Sequence, residues 1–348
     1  MKCFSRYYWI AIAIFLLFFA VFFYYFVKNN RSKNNIRPSE LKEAKKTLDI
    51  CILRYDQDLF SLDINHLSKG IEQLSSKYPP FLIEPDIWND SAMLQQLESY
   101  LRDTTIMALY KAATDAINYG VLLKELETAF GYYKIFYPNS SIPVIITMIS
   151  GLDPDMPSVY LYENYLLVNL DMYLGANHSF YTAVGLPLYI SDRCDPIYLP
   201  VDIFKKAIVN KHLIKAPRTT LIEAMITEGK KLYFAEMMFP HLNERFIIGY
   251  PEDKYNWASK YLGNVWGYLI EKNELFGKGD LLMRTYVEEA PFTKHFGNDS
   301  PGRIGTFVGW KLIQSYMTNN PETTLPELMK ENDYQKILNN SKFKPLPK

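Results

Sequence analysis

TTLIEAMITEGKKLYFAEMMF, residues 219–239, predicts one long helix that carries an apolar stripe. The threonines at its start supply the N-cap, and Glu223 follows at the spacing of a capping box. At about 100° per residue, Glu236 falls on the apolar stripe and Glu228 falls directly beside it. A carboxylate in such a position is costly unless it is paired, protonated or bound to a metal ion.

Glu228 carries the main functional question of this helix. It is either a catalytic or metal-binding carboxylate, or a buried carboxylate that bonds Arg303, a tyrosine hydroxyl or a backbone amide. Arg303 is the natural partner, because a guanidinium can bond both oxygens of a carboxylate. Gly229, the next residue, leaves room for another backbone to approach. Because no histidine motif accompanies Glu228, we expect the structural role.

A second helix is predicted from SPGRIGTFVGWKLIQSYM, residues 300–317, with Ser300 as N-cap and proline in the first turn. Three of its glycines fall within about 60° of one another on one helix face. They are Gly302, Gly305 and Gly309. Each glycine disfavours the helix by about 1 kcal/mol relative to alanine. We therefore expect this face to pack closely against another element, with ligand access as the alternative.

The clearest strand signals lie in the middle of the chain. The sequences PVIITMISG (143–151) and SVYLYENYLLVNLDMYLG (158–175) predict two or three antiparallel strands, and LDICILRY (48–55) predicts another. Beyond residue 202 the pattern is mainly helical. The predicted fold class is therefore α+β, mostly helical, with a small mixed or antiparallel sheet.

The N-terminus predicts a membrane anchor. Residues 7–27, YYWIAIAIFLLFFAVFFYYFV, contain no charge, proline or glycine, and as a helix they would rise roughly 30 Å. Aromatic residues cluster at both ends, and no small-residue cleavage site follows. We predict an uncleaved signal anchor at 7–27 after a short tail (1–6), then a basic juxtamembrane linker (28–47) and one globular domain (48–348).

Charge limits the partners but leaves the orientation open. The 38 basic and 38 acidic residues balance, so no global field favours nucleic acid as a partner. The basic stretch after the anchor would place the domain in the cytoplasm by the positive-inside rule, although long translocated domains escape that rule. Cys51 and Cys194, the two cysteines of the globular part, provide no disulfide framework.

No recognisable catalytic constellation is present in the sequence. None of the 5 histidines has another three or four residues away, and the sequence contains no HExxH, GxGxxG, GxSxG or P-loop. We therefore predict no catalytic residue, no metal ion and no cofactor.

From about residue 135 onward, several stretches occur in an order that resembles the gliding motility lipoprotein GldB family. The stretches are LLVNLDMYLG (166–175), GLPLYI (185–190), LIEAMITEGKKLYF (221–234), NVWGYLIEKNELF (264–276), PFTKHFGNDSPGRIGTFVGWKLIQSYM (291–317) and KILNNSKFKP (336–345). The resemblance implies an extracytoplasmic, periplasmic domain held at a membrane, with other envelope or motility proteins as partners. Family members are usually lipid-anchored through a cysteine after the signal, whereas this chain has its apolar helix.

A more distant resemblance connects the chain to putative zinc-dependent peptidases. Glu228-Gly229 and the glycine helix are similar to two elements of those proteins, and VDIFKKAIVN (201–210) stands where their HExxH helix would be. That segment contains neither histidine nor glutamate, and a zincin needs two imidazoles one turn apart to hold zinc. The resemblance implies a degenerate zincin-like architecture that has lost its metal.

Two functions follow from these observations. The first is a non-enzymatic, single-pass membrane protein of the cell envelope, which acts as a binding or scaffold component of the motility or surface secretion apparatus. The alternative is a metal-dependent or carboxylate-based, peptidase-like hydrolase that uses Glu228 together with His178, His212 or His241.

Overall fold

The computed structural model describes residues 36–81, 90–153, 155–214 and 219–347. The predicted tail, the predicted anchor at 7–27 and the first part of the linker lie outside these ranges. Within them, no helix combines the length and apolarity that crossing a bilayer requires.

Helices dominate the described ranges, and four short strands form one sheet. The strands are β1 (Ile52–Arg54), β2 (Val144–Met148), β3 (Val159–Tyr162) and β4 (Tyr165–Asn169). The α-helices are α1 (Pro38–Lys46), α2 (Tyr55–Phe60), α3 (Leu67–Lys77), α4 (Ser91–Arg102), α5 (Thr104–Ala116), α6 (Tyr119–Phe136), α7 (Ser179–Ala183), α8 (Leu188–Ser191), α9 (Tyr198–Asp202), α10 (Leu221–Met238), α11 (Glu244–Ile248), α12 (Glu252–Lys260), α13 (Leu262–Glu271), α14 (Asp280–Tyr286), α15 (Ile304–Asn319), α16 (Leu325–Lys330) and α17 (Tyr334–Ser341). This content confirms the α+β class.

The sheet is mixed, with strand order β1-β2-β4-β3. β2 pairs in parallel with β1 and with β4, and only β3 and β4 pair antiparallel. The expectation of antiparallel pairing between 143–151 and 158–175 is therefore wrong for β2. The reason is the hairpin at Glu163, where φ is 50°. It places β3 at the edge and inserts the more apolar β4 beside β2, where it is covered on both faces.

Alternate residues of the strands face two different hydrophobic clusters. Ile145, Leu166 and Val168 pack into the main core, which contains most of the helices after residue 105. Ile146 and Leu167 point to the opposite face, into a small cluster covered by α3 and α4. The two-residue period of strands explains this division.

Helices α10 and α15 cross in close contact at their glycines. A Cβ on Gly309 would lie 1.9 Å from the carbonyl oxygen of Met225, and a Cβ on Gly229 would lie 2.4 Å from the carbonyl carbon of Gly309. A Cβ on Gly305 would lie 2.9 Å from the Tyr286 carbonyl oxygen. The two backbones approach to distances that only glycine permits.

The start of α15 differs from the prediction. The helix begins at Ile304, and Arg303 occupies the N-cap with a φ of 54°. Ser300 does not cap it, because its buried hydroxyl donates to the carbonyl oxygen of Gly297 at 2.6 Å. Gly302 therefore lies in the turn before the helix, where a Cβ would meet the Ala290 carbonyl oxygen at 1.9 Å.

Candidate functional site: a charged cleft

Glu228 lies on α10 with a side chain that is 21% exposed, and it pairs with its own helix. Its Oε1 accepts a hydrogen bond from Lys231 Nζ at 2.8 Å. The charge of Glu228 also acts on Arg303. Burial lowers the pKa of Arg303, while Glu289 and, more weakly, Glu228 raise it. The carboxylate is thus partnered by a cation one turn away.

The three histidines considered beside Glu228 have other partners. His212 Nε2 lies 2.9 Å from the Tyr133 hydroxyl, and burial lowers its pKa to about 4. His241 pairs with Glu125 at 3.0 Å. His178 caps α7 through Nδ1. Across the ranges that the structure describes, no group of three histidine, cysteine, aspartate or glutamate side chains could hold a metal ion.

The segment VDIFKKAIVN (201–210), which lies where the helical sequence pattern begins, does not form one regular α-helix. After α9 it winds into a π-helix at Ile203–Ala207 and then a 3₁₀ turn at Ile208–Lys211. π-helical turns are rare and frequently occur at functional sites. Here the turn directs Lys205 and Lys206 back to Asp202, the last residue of α9.

Asp202 is the centre of one ion cluster. Its carboxylate pairs with Lys206 at 2.7 Å and with Lys205 at 3.2 Å, and it accepts the Tyr173 hydroxyl at 3.0 Å. Burial alone would raise the pKa of Asp202, but the two ammonium groups outweigh it and hold that pKa far below the usual carboxyl range. Burial lowers the pKa of Lys205 to about 8.

Glu289 is the centre of a second cluster. Arg193 bonds both of its carboxylate oxygens, with Nη1–Oε1 at 2.9 Å and Nη2–Oε2 at 2.7 Å. Arg303 Nε lies 3.2 Å from Oε2, and its Nη2 donates to the Ile248 carbonyl at 3.0 Å. Burial would raise the pKa of Glu289, but the guanidiniums of Arg303 and Arg193 lower it. Among the residues that the structure describes, the carboxylate that forms an ion pair with Arg303 is therefore Glu289, and not Glu228 as expected. No sequence pattern pointed to Glu289.

Both clusters line one cavity of about 180 Å³. A second cavity of about 70 Å³ adjoins it, shares Arg193 and Glu289, and extends to Arg303. We call this region the charged cleft, defined by two carboxylates and four cations. They are Arg193, Asp202, Lys205, Lys206, Glu289 and Arg303.

Glu236 lies outside the charged cleft and joins α10 to α15. Its Oε2 accepts from Trp310 Nε1 at 2.7 Å and from Gln314 Nε2 at 2.9 Å. Gln314 also donates to Glu244 at 2.8 Å. Burial raises the pKa of Glu236, and the two donors satisfy its Oε2, as a buried polar atom requires.

The sequence contained only part of the signal for the charged cleft. Asp202, Lys205 and Lys206 stand at spacings of three and four, which place opposite charges on one helical face. Arg193 and Glu289 are 96 residues apart, and no local pattern connects them. Only the tertiary structure brings these two groups together.

The fold and the site define an α+β protein whose cleft is built from mutually paired charges. A sequence model described as gliding motility protein GldB matches residues 35–345, so the chain belongs to this family. The match begins at residue 35, well before residue 166, where the first of the stretches that suggested the family begins. No curated protein and no solved structure matches the chain.

Proposed function

We propose that this protein is a non-enzymatic binding component of the motility or surface secretion apparatus in the cell envelope. The charged cleft is the observation that carries the proposal. A general base works best with a pKa near the operating pH and must reach its substrate. Asp202 and Glu289 instead have lowered pKa values and two cations each. Carboxylates that stay ionised in this way hold the lysine and arginine side chains in position. The positioned cations are suited to binding a ligand.

Site-specific cross-linking in whole cells tests the binding role. A photoreactive side chain at Tyr189, which lines the smaller cavity, is expected to capture an envelope or motility protein. The same group at Lys111, which is exposed on α5, is the matched control. Equal capture from both positions, or capture of no envelope protein from Tyr189, would contradict the proposal.

The non-enzymatic part of the proposal has its own test. Glu228 is held by Lys231, and we expect the detergent-solubilised full chain to purify without stoichiometric zinc. Metal analysis measures this directly. A stoichiometric, tightly bound zinc ion, or a peptidase activity that Glu228→Gln abolishes in a folded protein, would favour the hydrolase instead.

We further propose that residues 7–27 anchor the chain in the cell membrane with the globular domain on the periplasmic side. The apolar run supports the anchor, and the envelope association suggested by the family supports the periplasmic side. Alkaline phosphatase is active only on the periplasmic side, and green fluorescent protein is fluorescent only in the cytoplasm. Each is fused separately after residue 348. Active phosphatase with a dark fluorescent fusion is expected, and the reverse would place the domain in the cytoplasm.

A further inference from the structure

The charged cleft contains more positive than negative charge. Asp202 faces two lysines, and Glu289 faces two arginines. The two clusters lie within electrostatic range of each other. Burial is the main cause that lowers the pKa of Lys205, and the charges of Arg303 and Arg193 lower it further. Positive charges in the cleft therefore exceed negative ones by two.

Two of the cations keep donors for a ligand. An ammonium has three N–H groups, and Lys206 uses two of them on Asp202 and on Ser158 Oγ, at 3.1 Å. A guanidinium has five, and Arg193 uses three of them on Glu289 and the Tyr189 carbonyl. Lys206 is 46% exposed, so solvent reaches this side of the cavity.

The volume of the larger cavity and the net positive charge of the charged cleft favour a small anionic ligand. The larger cavity, about 180 Å³, equals several times the share of liquid volume taken by one water molecule. A phosphate monoester carries a charge of about −1.5 to −2 at neutral pH and three strong acceptor oxygens. The lining of the larger cavity has an excess of one positive charge, and Arg303 in the adjoining cavity raises the excess to two, which is close to the charge of the phosphate. Arginine and lysine are the side chains that proteins use for phosphate.

We propose that the charged cleft binds a phosphate group, with Lys206 and Arg193 as its direct donors. This inference rests on the proposed binding function, since it names the ligand chemistry of the same cleft. The phosphate group belongs either to a soluble ester or to a lipid headgroup.

Calorimetric titration of the full chain in a phosphate-free detergent at constant ionic strength tests the inference. Inorganic phosphate is expected to bind saturably, and Lys206→Gln is expected to weaken binding roughly tenfold, the effect of losing one charged hydrogen bond. Lys206→Arg keeps the charge and is expected to restore most of the affinity. Circular dichroism confirms that each variant is folded.

Lys77→Gln is the matched control for this titration. Lys77 is 49% exposed and pairs with Asp58, so it resembles Lys206 but lies outside the cavity lining. It should leave phosphate binding unchanged. Absence of saturable binding, equal affinity in Lys206→Gln and the wild type, or tighter binding of malonate than of phosphate would each overturn the inference.

Two further ligands identify the source of the phosphate group. Tighter Lys206-dependent binding of dioctanoyl phosphatidic acid than of glycerol 3-phosphate would support a lipid headgroup, and the opposite order would support a soluble ester. Cross-linking at Tyr189 that persists without phosphate binding would overturn this inference alone. Phosphate binding without any captured envelope protein would overturn the proposed partner role alone.

Discussion

At the scale of the residue, His212 is held neutral by the aromatic rings around it. Its ring stacks on Tyr137 at 3.7 Å between centroids and lies beside Phe234. Burial lowers its pKa to about 4, below the unfolded value of about 6.5. An isolated histidine in the sequence gives no sign of such an environment.

This environment predicts acid sensitivity. Between pH 6.5 and pH 4 the unfolded chain binds a proton at His212 that the folded chain does not bind, so stability falls as the pH drops through this window. We expect the wild type to lose about 1–2 kcal/mol more than His212→Gln over that range, after allowance for partial exposure. Urea unfolding at several pH values measures the difference. Parallel pH profiles would show that His212 does not titrate in this way.

Glu228 and Glu236, two of the three glutamates of α10, predict unequal effects on stability. Glu228→Gln removes the ion pair with Lys231, in which each side chain is 21% exposed, and should lower the free energy of unfolding by less than about 1 kcal/mol. Glu236→Leu removes the oxygen to which Trp310 and Gln314 both donate. It leaves the buried indole N–H of Trp310 unpaired and should cost about 1–3 kcal/mol. Denaturant titration of both variants at neutral pH compares them. A larger loss in Glu228→Gln would mean that this residue has a structural role beyond its pair with Lys231.

At the scale of the element, the contact between α10 and α15 depends on glycines, because a residue without a Cβ lets the two backbones approach closely. Gly309→Ala would drive a methyl group into the Met225 carbonyl, and we expect it to lower stability by about 3 kcal/mol or to prevent folding. Gly267→Ala on α13 is the matched control, because a Cβ there meets nothing within 4 Å. It should raise stability by about 0.5–1 kcal/mol through helix propensity. Thermal unfolding decides, and equal effects would refute the close crossing.

At the scale of the whole molecule, the sheet separates a large core from a small one. The small cluster holds few buried side chains, among them Leu67, Ile71 and Leu74 of α3. Local stability follows the apolar surface that an element buries. We therefore expect α3 and α4 to open without unfolding the rest of the protein.

Hydrogen exchange followed by mass spectrometry measures this difference. Peptides from 67–77 and 91–102 should exchange well before those from 221–238 and 304–319, which lie in the main core. Simultaneous exchange of all four would show that the two cores unfold as one unit.

The amino-acid sequence is enough to predict the α+β class, the long helix that contains Glu228, and the close packing of Gly305 and Gly309 on the neighbouring helix. These features follow from local spacing, because a helix or strand is specified by residues that stand close together in the chain. It also gave the family resemblance that the match over residues 35–345 establishes.

Long-range packing in the folded protein fixes three features that local spacing does not predict. They are the insertion of β4 beside β2, the start of α15 at Ile304 and the pairing of Arg303 with Glu289. Strand order and long-range ion pairs depend on which surfaces meet after the chain folds. The charged cleft belongs to this second group, because its two carboxylates come from segments that no local pattern connects.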